Sequence, residues 1–478
     1  MPEQPWTRDQ HTGRSWVHAN RGRHPGRSRT AYGKWNDGRV SDAKQPLSSL
    51  SAAQLRDYLA AQQRAYTVLQ ERGLALDLTR GKPSTAQLDL SDELLHLPVT
   101  VKDGDGVDCR NYGGLTGIRQ IREMFADLLW VEPEQVVAGG NSSLTMMHDC
   151  LVQMLLHGAV DSARAWAREE RVKFICPVPG YDRHFTMLAS YGIEMIPVDM
   201  LADGPDADAI EALVATDAAI KGMWIVPTYA NPSGSVISME VASRLAAMPT
   251  AAPDFKIFWD NAYAFHHLTE QEAKGVDILS VCSGAGHPNR PIMFASTSKI
   301  TYAGAGVAFL AASAENVAWY LRHQQFASIG PDKLNQLRHV QYFKTPQGVR
   351  DLMVKHREIL APKFAAVGAA LTAELDGLEV ATWSKPTGGY FVNLDVLDGT
   401  AGRVVALAKA AGIVLTPAGA SFPGGHDPRD RNIRLAPSFP VLADVETAMA
   451  GVATCVALAS AEKLAARHTA AASTPEGE

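Results

Sequence analysis

The chain has 478 residues, of which 46% are hydrophobic and 20% charged, and its formal net charge at pH 7 is −6. This composition is typical of a soluble globular protein, and the length allows two or three domains with substantial cores. An acidic balance argues against nucleic acid as the main partner, because phosphate binding favours a basic surface. We see neither a membrane-length apolar run nor a signal peptide, and therefore expect a cytoplasmic protein without a membrane partner. The five dispersed cysteines indicate neither a disulfide framework nor a metal site.

The two ends of the chain differ in composition from the rest. Residues 1–45 are rich in Arg, Gly, His and Pro and poor in aliphatic residues, which predicts a disordered basic tail. Residues 467–478 are mostly small or polar and predict a second disordered tail. Residues 46–100 are assigned to an N-terminal arm and part of a small domain. Within the arm, Ser51 and Gln54 form a capping-box pattern that predicts the start of a helix.

Between about residues 101 and 345, short apolar runs alternate with helical patterns. This alternation predicts an α/β domain, with a mostly parallel seven-stranded-type sheet and helices on both faces. Ligands of such sheets bind beyond the carboxyl ends of the strands. Tyr181, Asn231, Asp260 and Lys299 all lie at or just past predicted strand ends. Residues 346–466 carry shorter strands and predict a smaller α+β domain, whose long first helix has Pro362 as a candidate break.

The run Ala295-Ser296-Thr297-Ser298-Lys299 ends a predicted buried strand and precedes a glycine-rich turn. A lysine amine forms a Schiff base with a carbonyl once burial or a neighbouring cation lowers its pKa. An ordinary loop lysine fits the same local pattern, so the interpretation of Lys299 depends on the motifs upstream.

A strand, a glycine turn and a helix start are predicted around Asn141, Ser142 and Ser143. The free N–H groups of a helix start, together with hydroxyl groups, suit a bound phosphate. No Gly-Lys-Ser/Thr follows, so this is not a Walker loop. A plain helix cap by Asn141 or Ser142 is the alternative.

Together these patterns resemble the fold type I, aspartate-aminotransferase-like enzymes that use pyridoxal 5′-phosphate (PLP). The resemblance covers about Leu47 to Leu458 and is carried by four motifs: Asn231-Pro232-Ser233-Gly234, Asp260-Asn261-Ala262-Tyr263, Ser296-Thr297-Ser298-Lys299 and Asn432-Ile433-Arg434. It implies that Lys299 is the Schiff-base lysine and that Asp260 pairs with the pyridine nitrogen. It places Asn231 and Tyr263 at the ring hydroxyl. The remaining cofactor contacts that it implies are Asn141, Ser142, Ser143 and Ser296 at the phosphate, Tyr181 on the ring and His184 behind Asp260.

The resemblance also implies a homodimer with a shared active site, in which Tyr112 reaches a phosphate across the interface. Gly81, Asn231 and Arg434 resemble the residues that bind the substrate α-carboxylate, for which an arginine fork is well suited. One feature departs from the family pattern. The arginine that usually follows the lysine and binds the phosphate is absent, and Gly306 and Val307 stand in its place.

The activity that the resemblance implies is transamination between amino acids and 2-oxo acids. Phrases such as Thr79-Arg80-Gly81-Lys82-Pro83-Ser84 are similar to a divergent bacterial subgroup of aspartate aminotransferases, which implies aspartate and 2-oxoglutarate as substrates. The cation that would bind the distal carboxylate is open, with Lys82, Lys333 and Arg338 as candidates. Alternatives are an aminotransferase of aromatic or aliphatic amino acids, a PLP-dependent lyase, and a non-catalytic MocR-type sensor. A sensor normally carries a winged helix domain, for which residues 1–45 are too few.

Overall fold

The structure is a computed structural model and describes residues 44–473. The predicted N-terminal tail lies outside the described residues except for Lys44 and Gln45, and residues 474–478 also lie outside them.

Helices cover much of the described chain. They are α1 Ala52–Glu71, α2 Thr85–Asp89, α3 Arg119–Leu129, α4 Ser143–His157, α5 Asp182–Ser190, α6 Ala207–Val214, α7 Met239–Ala247, α8 Ile278–Gly284, α9 Ala314–Ala327, α10 Lys333–Phe343, α11 Pro346–Leu375, α12 Ala401–Ala410 and α13 Leu442–Ser473. The predicted capping box is present at the start of α1, where the Ser51 side chain accepts from Gln54 N and the Gln54 side chain accepts from Ser51 N. These contacts satisfy two backbone N–H groups that a helix start leaves free.

The strands form three sheets. They are β1 Leu76–Asp77, β2 Val136–Ala138, β3 Lys173–Val178, β4 Glu194–Leu201, β5 Gly204–Pro205, β6 Ile220–Ile225, β7 Lys256–Asp260, β8 Pro291–Ser296, β9 Ala308–Ala312, β10 Ala381–Trp383, β11 Val392–Val396, β12 Ile413–Val414 and β13 Asn432–Leu435. The large sheet has the order β2-β9-β8-β7-β6-β3-β4-β5. Its central neighbours from β8 to β4 run parallel, whereas β9 and the two-residue β5 pair antiparallel with their neighbours.

The large sheet is covered on both faces, which explains its uninterrupted apolar strands. β6, β7 and β9 are buried along their whole length. Two separate hydrophobic clusters pack against the sheet, one including Trp259 and Phe309 and the other Trp224 and Phe258. Such burial requires residues that are apolar toward both faces. The α/β fold class predicted from the sequence is confirmed, with a short eighth strand added at the edge.

Residues from both ends of the described chain pack into a second core, which is separate from the two clusters on the large sheet. β10, β11 and β13 form an antiparallel sheet, and β1 pairs with β12 in parallel. One cluster contains Leu55 from α1 together with Val445 and Met449 from α13. The division of the chain into arm, large domain and small domain stays a prediction.

The helix α11 continues through Pro362 without a break, contrary to the sequence expectation. Leu360 and Phe364, on either side of the proline, are buried in the second core. Tertiary packing on both sides therefore stabilises a helix that the proline alone would interrupt.

The last helix corrects two expectations. α13 runs to Ser473, so residues 467–473 are helical although the sequence places them in a disordered tail. Over Leu442–Ala470, α13 is also long and apolar enough to span a membrane. The sequence pattern had not indicated an apolar run of this length. However, 61% of its apolar window is buried inside the structure, as expected for a helix that packs in a protein core.

Candidate active site

Four neighbouring strands bring polar residues to one edge of the large sheet. β8, β7, β6 and β3 are consecutive and parallel, so their carboxyl ends lie together. Lys299 follows β8, Asp260 ends β7, Asn231 follows β6 and Tyr181 follows β3. These residues line one cavity, whose walls are Ser143, Leu144, Met147, Tyr181, Val226, Asn231, Asp260, Ala262, Tyr263 and Lys299.

Asp260 is a buried carboxylate with one oxygen engaged and one free. Its Oδ2 lies 3.1 Å from His184 Nε2, and the His184 ring stacks on Trp224 with centroids 4.2 Å apart. Its Oδ1 is buried and has no hydrogen-bond partner. The histidine, held by the tryptophan, therefore orients the carboxylate so that the second oxygen remains available to the cavity.

Lys299 is partly buried between this carboxylate and an aromatic ring. Its Nζ lies 4.6 Å from the centroid of the Tyr263 ring. Burial lowers the pKa of the Lys299 amine, and the nearby Asp260 charge opposes the shift. Burial also raises the pKa of Tyr263 well above its usual value and that of Tyr181 to about 12. At neutral pH both phenols therefore carry their protons and can donate hydrogen bonds.

Two orphaned oxygens test whether the cavity fits the cofactor that the sequence resemblance implies. Besides Asp260 Oδ1, the buried Asn231 Oδ1 has no hydrogen-bond partner. Leaving such groups unpaired costs about 1–3 kcal/mol each, so a polar partner is expected in the cavity. A ring that carries a protonated nitrogen and a hydroxyl group supplies such a partner. The Lys299 amine lies in the same cavity, where it could react with the carbonyl carbon of such a ring. The residues present fit PLP.

Comparisons with known proteins agree with this chemistry. The sequence model of the family described as aspartate amino-transferase matches residues 50–468. The chain belongs to this family. An aspartate aminotransferase of Corynebacterium glutamicum is 54% identical over 399 residues, covering 83% of this chain and 92% of the relative. A putative aminotransferase of Mycolicibacterium smegmatis is 56% identical over 417 residues, covering 86% and 97%.

The structural comparison gives the same result. A crystal structure of an aspartate transaminase from Corynebacterium glutamicum superposes with a TM-score of 0.87 at 51% identity, covering 88% of this chain and 100% of that one. The protein is therefore an aminotransferase, and the fold type I resemblance seen in the sequence is confirmed.

The residues predicted to bind the cofactor phosphate gather around the start of α4. Ser142 caps this helix by accepting a hydrogen bond from Thr145 N. Asn141 Nδ2 donates to Gly304 O, and Ser298 Oγ donates to Asn141 O. These contacts tie the helix start to the segment around the lysine. Ser296, the last residue of β8, reaches the same edge of the sheet.

The two positions that stand in place of the usual arginine are tightly packed. Val307 is 1% exposed and packs in the core. A Cβ on Gly306 would lie 3.0 Å from Thr297 Oγ1 and 3.1 Å from Ser298 N. A side chain at position 306 would therefore have to displace its neighbours slightly, and a charged side chain at position 307 would lie in the core.

Arg434 and Gly81 meet through an aromatic ring. The Arg434 guanidinium carbon lies 5.2 Å from the centroid of Phe391. A Cβ on Gly81 would lie only 2.1 Å from Phe391 Cζ, so any side chain at this position would displace the ring. The sequence did not single out Phe391. Nor did it single out Asp182, which contacts Arg434 although it directly follows Tyr181 in the chain.

Tyr112 lies apart from the cavity in a single chain. The residue is 82% exposed, and its carbonyl accepts a hydrogen bond from Lys333 Nζ. None of the three candidates for the distal carboxylate appears among the described residues that line the cavity. Lys82 Nζ lies over the Phe439 ring, and Arg338 Nε donates to Leu97 O.

A buried polar network behind Lys299 was not anticipated from the sequence. The Tyr390 hydroxyl donates to Lys299 O, and His356 Nε2 donates to Ile300 O. Gln87 Nε2 contacts both His356 Nδ1 and the Tyr390 hydroxyl. The network fixes the backbone of the lysine from helices α2 and α11. Its members lie far apart in sequence, so no local pattern identifies them.

This network predicts a loss of stability in mild acid. Burial lowers the pKa of His356 to about 4. Between that value and the usual value near 6.5 only the unfolded chain binds the proton, so stability falls as the pH decreases from about 6.5 to 4. The expected loss is about 3 kcal/mol over this range, of which about 2 kcal/mol falls between pH 6.5 and pH 5. Urea unfolding at pH 7 and pH 5 should show a smaller pH dependence for His356→Gln than for the wild type.

His148, whose side chain is 45% exposed, provides the control for this measurement. We expect His148→Gln to retain the pH dependence of the wild type. An unchanged pH dependence in His356→Gln would contradict the assignment.

Proposed function

We propose that the chain is a PLP-dependent L-aspartate:2-oxoglutarate aminotransferase that produces oxaloacetate and glutamate. The observation that carries the proposal is the shared cavity of Lys299, Asp260, Asn231 and Tyr263, with orphaned oxygens on Asp260 and Asn231. The relative that is 54% identical and named aspartate aminotransferase supports aspartate as the amino donor. When bound, PLP supplies an electron sink that stabilises negative charge at the substrate Cα.

In this proposal, each side chain at the edge of the sheet has a separate chemical role. The Lys299 amine, with its pKa lowered by burial, takes a proton from the substrate Cα and returns one later. Asp260, supported by His184, holds the proton on the pyridine nitrogen. Tyr263 and Asn231 hydrogen-bond the ring hydroxyl, and Tyr181 packs on the ring face.

The phosphate is assigned to the start of α4, where Asn141, Ser142 and Ser143 meet Ser296. Without the usual arginine, the free N–H groups, the hydroxyl groups and the helix dipole supply the attraction. We place the substrate α-carboxylate at Arg434, between Gly81 and Asn231. Arg434 is 8% exposed, and its buried Nε has no acceptor, so an incoming carboxylate would satisfy it.

We further propose a cytoplasmic homodimer without membrane or nucleic-acid partners. The exposure of Tyr112 supports the dimer, because a tyrosine that is 82% exposed is free to reach the phosphate of a second copy. Tyr112 does not follow a described strand of the large sheet, so no strand end places it at the cavity of its own chain.

A half-reaction screen tests the substrate assignment. Each amino acid is added separately to the holoenzyme, and the loss of the visible absorbance of the bound cofactor is followed. We expect rapid loss with aspartate and glutamate and slow loss with leucine and phenylalanine. Subsequent addition of 2-oxoglutarate should restore the absorbance and release glutamate, which a lyase or a non-catalytic sensor would not do. Rapid loss only with aromatic or aliphatic amino acids would overturn the aspartate assignment.

A further inference from the structure

An ion pair holds the arginine that we assign to the substrate carboxylate. Arg434 NH1 lies 3.0 Å from Asp182 Oδ1, with side-chain exposures of 8% and 36%. Asp182 is the first residue of α5, immediately after Tyr181, whereas Arg434 lies in β13. The pair therefore joins the large sheet's strand-end region to the smaller antiparallel sheet.

The contacts of Arg434 are unevenly distributed around its guanidinium group. Asp182 binds NH1, and the Phe391 ring lies 5.2 Å from the guanidinium carbon. The Nε atom is buried without an acceptor. A guanidinium group carries five donors and can bind two carboxylates through different nitrogens. The edge that includes Nε therefore remains available to a second carboxylate while Asp182 occupies NH1.

We propose that Asp182 is a positioning residue that holds Arg434 so that its free edge meets the α-carboxylate of both substrates. The proposal rests on the proposed function, in which Arg434 binds that carboxylate. An arginine side chain loses rotamer entropy when it is fixed, and Asp182 fixes it before the substrate arrives. The charge of Asp182 also repels the incoming carboxylate, but its partial exposure to water screens this repulsion. We therefore expect ordering to outweigh repulsion.

Every amino acid and 2-oxo acid substrate carries the α-carboxylate, so the loss of Asp182 should weaken the binding of all substrates alike. In Asp182→Ala the KM for the amino donor and the KM for the oxo acid should each rise roughly ten-fold, the effect of losing one charge-assisted hydrogen bond. The same factor is expected for substrates with different side chains, and kcat should change less than KM. Asp182→Asn keeps an acceptor at the same position and should restore most of the affinity.

Asp217 provides the matched control. It pairs with Lys173 at the same 3.0 Å distance and has a side-chain exposure of 34%, but it lies at the amino end of the strands, away from the cavity. Asp217→Ala should leave both KM values unchanged. Binding of succinate, measured by calorimetry on the holoenzyme, gives a readout without turnover, and its Kd should rise in Asp182→Ala but not in Asp217→Ala.

Three outcomes would overturn the proposal. A lower KM in Asp182→Ala would mean that Asp182 competes with the substrate. A lower thermal stability with unchanged KM would mean a structural role only. An increase confined to one side-chain class would place Asp182 at the distal group. Failure of the proposed function is distinguishable, because it appears in the wild-type amino acid screen. The KM comparison is then run with the amino acid that the wild type accepts.

Discussion

Replacement of Lys299 by alanine is expected to abolish turnover, with kcat reduced by roughly 10³-fold or more. Lys299 is the cation that lines the cavity within the described chain, and burial lowers the pKa of its amine, which favours the free base. Among the described residues no other lysine lines the cavity to take its place in the variant. Steady-state transamination assays measure the loss, and absorbance after gel filtration measures how much cofactor the variant retains without the lysine.

Lys173 supplies the control for this experiment. It begins β3 at the amino end of the sheet and pairs with Asp217, so Lys173→Ala should retain wild-type kcat. Partial retention of cofactor by Lys299→Ala would show that the phosphate and ring contacts survive. A kcat within ten-fold of the wild type would refute the assignment of Lys299.

The second large effect is expected from Asp260→Asn, which removes a charge while preserving shape. Asp260 is 4% exposed, and a pair of opposite charges about 4 Å apart in such surroundings is worth about 4 kcal/mol at an effective dielectric of 20. Losing this attraction to the protonated pyridine nitrogen should lower kcat by roughly 10³-fold. Single-turnover rates with aspartate, measured at saturating cofactor, separate this effect from weaker cofactor binding.

Asp260→Glu is the charge-preserving control. Its carboxylate is displaced by one methylene but can still stabilise a proton on the ring nitrogen, so we expect a smaller loss than in Asp260→Asn. Equal losses in both variants would mean that position and packing, rather than charge, determine the role of Asp260. Wild-type activity in Asp260→Asn would remove Asp260 from the proposed chemistry.

Local patterns explain why much of the site was predictable. Lys299, Asp260, Asn231 and Tyr181 each follow an apolar run that forms a strand, and parallel strands bring their carboxyl ends together. The sequence therefore predicted that these four residues share one site. It could not predict the strand order, which makes β8, β7, β6 and β3 consecutive.

Contacts between distant parts of the chain were not predictable in the same way. Asp182 and Arg434 are 252 positions apart, and Gln87 and His356 are 269 apart. Each of these side chains is compatible with an ordinary surface or core position when only its neighbours in sequence are considered. Their pairing depends on how the smaller sheet and the long helices pack against the large sheet.

The sequence by itself determined the alternation of strands and helices, the family and the residues at the strand ends, because these depend on local periodicity and short motifs. The tertiary structure decided which side chains support them. It placed Asp182 on Arg434, kept α11 helical through Pro362 and buried most of the apolar window of α13. The physical reason is that long-range packing chooses among conformations and partners that the local sequence allows equally well.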